Sequence, residues 1–422
     1  MASDPGRHRR GSSAVVTGLA VASACGRGPD ALFDSVCAGT PAFGPVTRFD
    51  TAARRVRVAA TLHDAAPLPE ELAEALHQSC TQAGLTVDQR KDSPLLLAWH
   101  PGPDAVRAAR RASEAVKEAA SVTAAVTEAA VAAVAVHAPK LSAATHAPGS
   151  PDAHSAAAMA AGLAARCGLG GAVRTYTTAC VSASTAVADA AAMIATGRAD
   201  RVVVAAGYLV DQDYFGLFDA GRALATDGRI RPFSRGRTGL LLGDAVAAVV
   251  LESPGAARAR GAEVLGRVLG WGRAGDAHHV CRPHPEGAGV ARAVRAALDR
   301  AGVSAEELDY VNAHGTGTPF NDSAEAAGLR RALGPAVDRT PVSSTKSVHG
   351  HTLEASGLLE LAVVLQALRH GRLPVNAGFL DADPECRLDL VLGEPRESRA
   401  RYALSLNAAF GGANTALLIG AP

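Results

Sequence analysis

Three stretches of this 422-residue chain place side chains capable of chemistry where a strand-like run hands over to a turn. The first is Thr177-Thr178-Ala179-Cys180-Val181-Ser182-Ala183-Ser184, with an extended segment at 172–176 before it and a small-residue helical run at 184–195 after it. Strand, sharp turn and helix in that order present Cys180 at a helix N-terminus. There, unpaired N–H groups and the macrodipole favour thiolate over thiol. A free cysteine is commonly a buried structural residue, and spacing alone favours that reading. The second stretch is Val311-Asn312-Ala313-His314-Gly315-Thr316-Gly317-Thr318-Pro319. Its glycines let backbone approach a ligand, Thr316 and Thr318 offer hydroxyls beside it, and His314 sits at the end of a strand. The third is Ser343-Ser344-Thr345-Lys346-Ser347-Val348-His349-Gly350-His351-Thr352, which opens a helix. The helix dipole disfavours imidazolium at His351, and a neutral imidazole can donate to a developing oxyanion. Lys346 would set the local field, and His349 reads as a surface residue. Each histidine alone reads as structural; the conjunction of both motifs with Cys180 tips the balance toward a reactive cysteine.

A closing segment, Leu406-Asn407-Ala408-Ala409-Phe410-Gly411-Gly412-Ala413-Asn414, completes the set. Its glycines permit a tight turn whose N–H groups, together with that of Cys180, would form an oxyanion hole.

The elements that must hold these stretches alternate between strand and helix patterns. Strands are expected at 13–18, 95–100, 201–207, 239–243, 245–252, 263–271, 308–312, 402–406 and 414–419. Helices are expected at 30–38, 70–83, 104–138, 154–167, 184–195, 290–301, 323–333 and 352–369. The run at 201–207 is continuously apolar, as in a strand buried on both faces. Residues 208–237 read as irregular. The rhythm repeats in two halves, 1–253 carrying the cysteine and 254–422 carrying the histidines, each placing its chemistry at strand C-termini.

Composition excludes several classes. Hydrophobic residues make up 48% and charged residues 20%, a globular balance. The formal charge of +1 argues against a nucleic-acid partner or an anionic membrane. Lysine occurs only at Lys91, Lys117, Lys140 and Lys346, against an arginine background. Seven cysteines at wide spacings, with no CxxC pair, point to a reducing compartment. Residues 1–13 lack an apolar core and read as a disordered lead-in or an expression remnant, not a signal peptide. The Ala/Val-rich segment 119–138 reads as a buried helix, because alanine gains little from lipid. The expected setting is cytoplasmic.

Taken together, Thr178-Ala179-Cys180, Asn312 through Thr318, Lys346-Ser347 with Gly350-His351-Thr352, Asn321 through Glu325, and Phe410-Gly411-Gly412 resemble the motifs of β-ketoacyl-acyl-carrier-protein synthases. These are the thiolase-like condensing enzymes of fatty acid and polyketide synthesis. The resemblance runs from Val15 to Asn414. It implies an α/β fold of two pseudo-duplicated halves in a layered αβαβα arrangement. It also implies decarboxylative condensation of an acyl group, held on Cys180, with a malonyl-type extender on acyl carrier protein. By the same resemblance His314 and His351 stabilise the enolate, and Lys346 with Glu325 orients them. The N–H groups of Cys180 and Phe410 form the oxyanion hole, and Thr316 and Thr318 hold the phosphopantetheine arm. Ala408 and Phe410 line or gate the acyl pocket. No metal or organic cofactor is implied. The expected partner besides acyl carrier protein is a second subunit, identical or paralogous.

The chain departs from the family pattern at several places. Ala408 stands where a Phe is usual and Ala409 where a Gly is. The family's Arg-Asp-Gly-Phe appears as Arg237-Thr238-Gly239-Leu240, and its Gly-Glu-Gly as Gly243-Asp244-Ala245. Ala408 predicts a pocket widened at that point, suited to a bulky acyl group.

Other signals are set aside. Gly270 to Gly275 matches GxGxxG after a strand, but no helix pattern follows. His278, His279, Cys281 and His284 crowd together, yet their spacing fits no zinc pattern; the loop resembles the border of a condensing-enzyme active site. Two other functions stay open: a non-catalytic chain-length-factor-like partner, which would lack the cysteine, and a same-fold acyltransferase, hydrolase or carbon–heteroatom synthase.

Overall fold

In the computed structural model the described residues are 13–99 and 155–422. The helix expected at 104–138, with its Ala/Val-rich segment, and the N-terminal lead-in lie outside them. The principal elements are β1 (Ala14–Ser23), α1 (Pro29–Ala38), α2 (Leu68–Gln82), β2 (Leu95–Trp99), α3 (Ala156–Cys167), β3 (Val173–Tyr176), α4 (Ser182–Ala195), β4 (Arg201–Tyr208), α5 (Gln212–Ala220) and β5 (Ala245–Glu252). There follow β6 (Gly266–Gly275), α6 (Ala288–Ala301), β7 (Tyr310–Asn312), α7 (Pro319–Leu333), β8 (Pro341–Ser343), α8 (Ser356–His370), β9 (Asp389–Leu390), β10 (Tyr402–Ala409) and β11 (Ala413–Gly420).

These strands form one sheet in the order β9-β8-β7-β10-β11-β6-β1-β5-β4-β2-β3. The same pattern occurs twice. β3, β2 and β4 are parallel neighbours, and β5 then β1 continue antiparallel. β8, β7 and β10 are likewise parallel, and β11 then β6 continue antiparallel. The two sets join where β1 pairs antiparallel with β6.

Side-chain alternation explains the layering. Along β2, Leu95 and Leu97 join an outer core with α2 and α3, while Leu96 and Ala98 face a central core. β4 divides in the same way, with Val203 and Ala205 outward and Val202, Val204 and Ala206 inward. Covered on both faces, such strands carry continuous apolar runs rather than alternation. A third core packs α6 and α7 against β7, β10 and β11. The central layer is α4 and α8, which contact each other and strands of both sets. α8 is buried nearly all round, as its Leu/Val/Ala composition requires. α4 is built from Ala and Ser, and this lets the two helices approach closely: a Cβ at Gly357 would lie 2.4 Å from the Ser184 nitrogen. The result is helix, sheet, helix, sheet, helix.

Several sequence expectations shift. The segment expected as a strand at 239–243 makes only isolated bridges, Leu240 with Leu224, Leu242 with His351 and Gly243 with Ala60. The stretch expected to be irregular contains α5, whose N-cap Asp211 accepts from the N–H groups of Asp213 and Tyr214. The helix expected to open at Thr352 begins at Ser356, after a short turn at Leu353–Ala355. α7 begins earlier than expected, with Pro319 at its first turn. Among the described residues no helix is long and apolar enough to cross a membrane.

Candidate active site

β3 ends at Tyr176, and a tight turn at Ala179–Val181 carries Cys180 into α4. Ala179 takes φ of 50°, a left-handed conformation that costs energy for any residue with a Cβ and is held by the packing around it. β7 ends at Asn312, two residues before His314, and the parallel neighbour β8 ends at Ser343, ahead of Lys346 and His351. The ends of parallel strands from both sets thus converge on one point, and β10 and β11 pack against the cysteine turn.

His351 Nε2 lies 3.1 Å from Cys180 Sγ. His351 Nδ1 lies 3.1 Å from Ser356 Oγ, which is 3.2 Å from Thr352 Oγ1. The His314 and His351 rings meet edge to face, with centroids 5.3 Å apart. His314 Nδ1 has no hydrogen-bond partner among the described residues. All these groups are buried.

Burial decides the charge states. It pushes the Cys180 thiol up to about 12; Glu354 adds to the rise and Lys346 offsets part of it. The helix-terminus argument for a resting thiolate is therefore overridden, and the site rests as thiol beside imidazole. Burial, then Lys346, hold His351 and His314 well below the usual imidazole range, so both are neutral at pH 7. The neutrality expected for His351 is present, but its cause differs: α8 starts five residues later, and desolvation replaces the dipole.

Lys346 is fully buried and pairs with Glu360 of α8, whose other carboxylate oxygen accepts from Asn407 Nδ2 at 2.7 Å. The Lys346 charge adds to the lowering that burial imposes on both imidazoles. Glu325 accepts from the backbone N–H groups of His314 at 2.6 Å and Gly315 at 2.7 Å, fixing the loop rather than an imidazole. Burial raises its carboxyl to about 7 against those bonds. Asp322 does the same for the N–H groups of Phe233 and Gly317. Neither Glu360 nor Asn407 stood out in the sequence; Glu360 could have been found as an acid on an otherwise apolar helix. His349, expected at the surface, is fully buried, with Nε2 2.9 Å from Thr345 Oγ1 and Nδ1 2.8 Å from the Gly350 carbonyl. The helical turn at Lys346–His349 directs it inward.

A cavity of about 420 Å³ opens over these groups. Cys180, His314, His351, Thr316 and Thr318 line it, the two threonine hydroxyls 2.9 Å apart. Ala408, Ala409 and Phe410 line it as well. Phe410 is half exposed and stacks on Phe218 at 6.1 Å. Phe320 and Arg282, a cation–π pair at 4.9 Å, also line it; Arg282 belongs to the loop expected to border the site, and Phe320 was missed because nothing in its spacing marks a rim. The set Cys180, His314, His351, Thr316, Thr318, Ala408 and Phe410 is thus brought to one cavity, while Lys346 and Glu325 stand behind it.

The histidine-rich loop borders the cavity, as its resemblance implied, through Asp276, Cys281, Arg282 and Pro283. His279 Nδ1 accepts from the Cys281 N–H and His284 Nδ1 from the Glu286 N–H. Among the described residues no three His, Cys, Asp or Glu side chains are placed to hold a metal. The GxGxxG match lies within β6, where Gly270 and Gly272 sit against the Ala297 and Ala293 carbonyls of α6. Its glycines serve helix–strand packing, as proximity and not phosphate binding demands.

The family model for the N-terminal domain of beta-ketoacyl synthases matches residues 12–257, and that for the C-terminal domain matches 265–380. Nodulation protein E of Rhizobium meliloti is 42% identical over 252 residues, 59% of this chain and 62% of that protein. The 3-oxoacyl-[acyl-carrier-protein] synthase 2 of Staphylococcus aureus is 36% identical over 247 residues, 57% of this chain and 61% of that protein. The alignments thus span less than two thirds of these relatives' length. The solved structure described as the ishigamide ketosynthase/chain length factor superposes with a TM-score of 0.80 at 28% identity, covering 97% of this chain and 99% of that one. The fold is thiolase-like, and the chain belongs to the beta-ketoacyl synthase family.

Proposed function

We propose that this chain is a β-ketoacyl-acyl-carrier-protein synthase. The carrying observation is the convergence of Cys180, His351 and His314 on one cavity. In the first half-reaction the Cys180 thiol gives its proton to His351 Nε2 and attacks an acyl thioester, and the departing carrier thiolate takes that proton. In the second, a malonyl-type extender enters, loses CO2, and its carbanion attacks the Cys180 thioester. His314 and His351, neutral and with Nε2 carrying the proton, stabilise the enolate oxygen. The backbone N–H groups of Cys180 and Phe410 receive the tetrahedral oxyanion, supported by the packing of β10 on the cysteine turn. Lys346 and Glu325 support the histidines, one by its field and one by holding the loop.

Thr316 and Thr318 are assigned to the phosphopantetheine arm of acyl carrier protein, which brings the substrate; the chain's own residues supply every step. Residues 1–253 contribute the nucleophile and 254–422 the histidines. The working form is a dimer, with itself or with a paralogue. Ala408 on the cavity wall supports an acyl group bulkier than a short saturated chain. Retention of Cys180 weighs against a chain-length-factor role.

Mixing the protein with acyl-loaded and then malonyl-loaded carrier protein tests this reading. The expected result is a mass increment on Cys180 followed by a product two carbons longer. An adduct that only hydrolyses would point to the acyl-transfer or hydrolase reading instead.

A further inference from the structure

Three residues, His314, Ala408 and Asn414, line both the main cavity and a second, small cavity beside it. Strand alternation explains the second one. Along β10, Asn407 turns toward α8, where it bonds Glu360, and Leu406 turns the other way into the core formed with α6. Ala408 falls on the Leu406 face, paired with Asn414 on β11. Val290 and Ala293 of α6 complete the apolar part of the lining. A methyl side chain at 408, where the family pattern carries a Phe, leaves this face underfilled, and a hole of about 10 Å³ remains. That size just admits one water-sized group.

In the proposed condensation His314 faces the enolate oxygen, and the extender's α-carbon is bonded to the carbon that bears this oxygen. A substituent on the α-carbon therefore lies beside His314, at the wall the two cavities share. We infer that Ala408, with Val290 and Ala293 behind it, determines extender specificity: the chain takes an α-methyl-branched malonyl extender, whose methyl group enters the hole. This is a demand on the extender, separate from the acyl group on Cys180. The lining is mostly apolar, so a methyl gains by entering it. A longer branch, such as an ethyl, meets Val290 and Ala293. The bonds exchanged are those of an ordinary condensation. The bond to CO2 breaks, and its electron pair forms the bond from the methyl-bearing carbon to the thioester carbonyl. Cys180 leaves as thiolate and takes a proton from solvent. The product is an α-methyl-β-ketoacyl thioester. The competing occupant is a water. His314 Nδ1 and Asn407 Oδ1 are buried without a partner among the described residues, and a water held by both would close the hole to the methyl.

This inference rests on the condensing-enzyme reading. With one acyl donor throughout, that which loads Cys180 fastest, kcat/KM is measured for carrier protein loaded with malonyl, racemic methylmalonyl or ethylmalonyl groups. The wild type is expected to use methylmalonyl within about thirtyfold of malonyl, and ethylmalonyl about a further tenfold or more slowly. Ala408→Val and Ala293→Val, which fill the hole from β10 and from α6, each lower the methylmalonyl-to-malonyl ratio about tenfold or more. Ala293 does not line the main cavity, so its effect does not come from the acyl group. Val290→Ala raises the ethylmalonyl-to-malonyl ratio about tenfold. Ratios are read on variants shown to be folded by thermal melting, and either filling variant suffices if the other does not fold. A wild type that condenses malonyl but disfavours methylmalonyl by more than about thirtyfold, as a fixed water would make it do, would overturn the inference and leave the condensing reading standing. Ratios unchanged in the folded filling variants would overturn it too. Acyl loading of Cys180 without condensation of any extender would remove the condensing reading, and the inference with it.

Discussion

At the residue scale, the two histidines are not equivalent. His351 Nε2 lies against the Cys180 sulfur, whereas the His314 ring meets the His351 ring edge to face. His314→Ala should therefore form acyl-enzyme at nearly the wild-type rate and lose condensation by about 10²–10³, the usual loss for one oxyanion donor. His351→Ala should lose both steps. Single-turnover acylation followed by intact-mass measurement separates the two; equal loss of acylation in both variants would contradict the assignment. The cysteine, histidines and threonines were legible because strand ends put them beside small residues in motifs. The charge states were not, because they depend on burial that motif spacing does not express. A turn before a helix suggested a thiolate at Cys180, yet desolvation raises that thiol to about 12.

At the element scale, the turn Lys346–His349 and helix α8 hold ionisable groups in a dry interior. Burial, then Lys346, lower His349 to about 3. In the unfolded chain this imidazole takes a proton near pH 6.5, while the folded chain refuses it until far lower. Its contribution to stability is thus full above about pH 6.5 and lost as pH falls toward about 3, at roughly 1.4 kcal/mol per pH unit. His349→Gln should flatten the stability curve by about that slope between pH 6 and pH 4, measured by urea unfolding at each pH; an unchanged slope would show that His349 does not carry it. Most elements could be read from their hydrophobic pattern, α6 from its helical period and the doubly buried β4 from its continuous apolar run. Where reading failed, tertiary contact had won. The segment 239–243 looks like a strand but docks by single bridges to three different neighbours. The missed α5 lies in a stretch whose aromatic and glycine content masks its period. His349 looked like a surface residue because a one-turn helix has no period to read.

At the scale of the whole molecule, two similar sets of strands share a central pair of helices, and the site forms where they meet. Lys346 stands behind β8 and Glu360 on α8, so their pair ties the histidine loop to the central layer. Both are fully buried. Lys346→Met leaves Glu360 uncompensated and should destabilise the fold by about 3–5 kcal/mol, while Lys346→Met with Glu360→Leu should recover a large part. Chemical denaturation of both variants checks this; equal destabilisation would show that packing volume rather than charge is at stake. The repeated rhythm of the halves was legible, but their joining through β1 and β6 was not, because antiparallel edge pairing leaves no periodic trace. The central claim is that Cys180 from one set of strands carries an acyl group beside histidines from the other. Peptide mapping of the protein after reaction with acyl-loaded carrier protein tests it directly. The account predicts the acyl increment on the peptide containing Cys180, with none formed by Cys180→Ala. An increment on another residue, or condensation at the wild-type rate by Cys180→Ala, would contradict it.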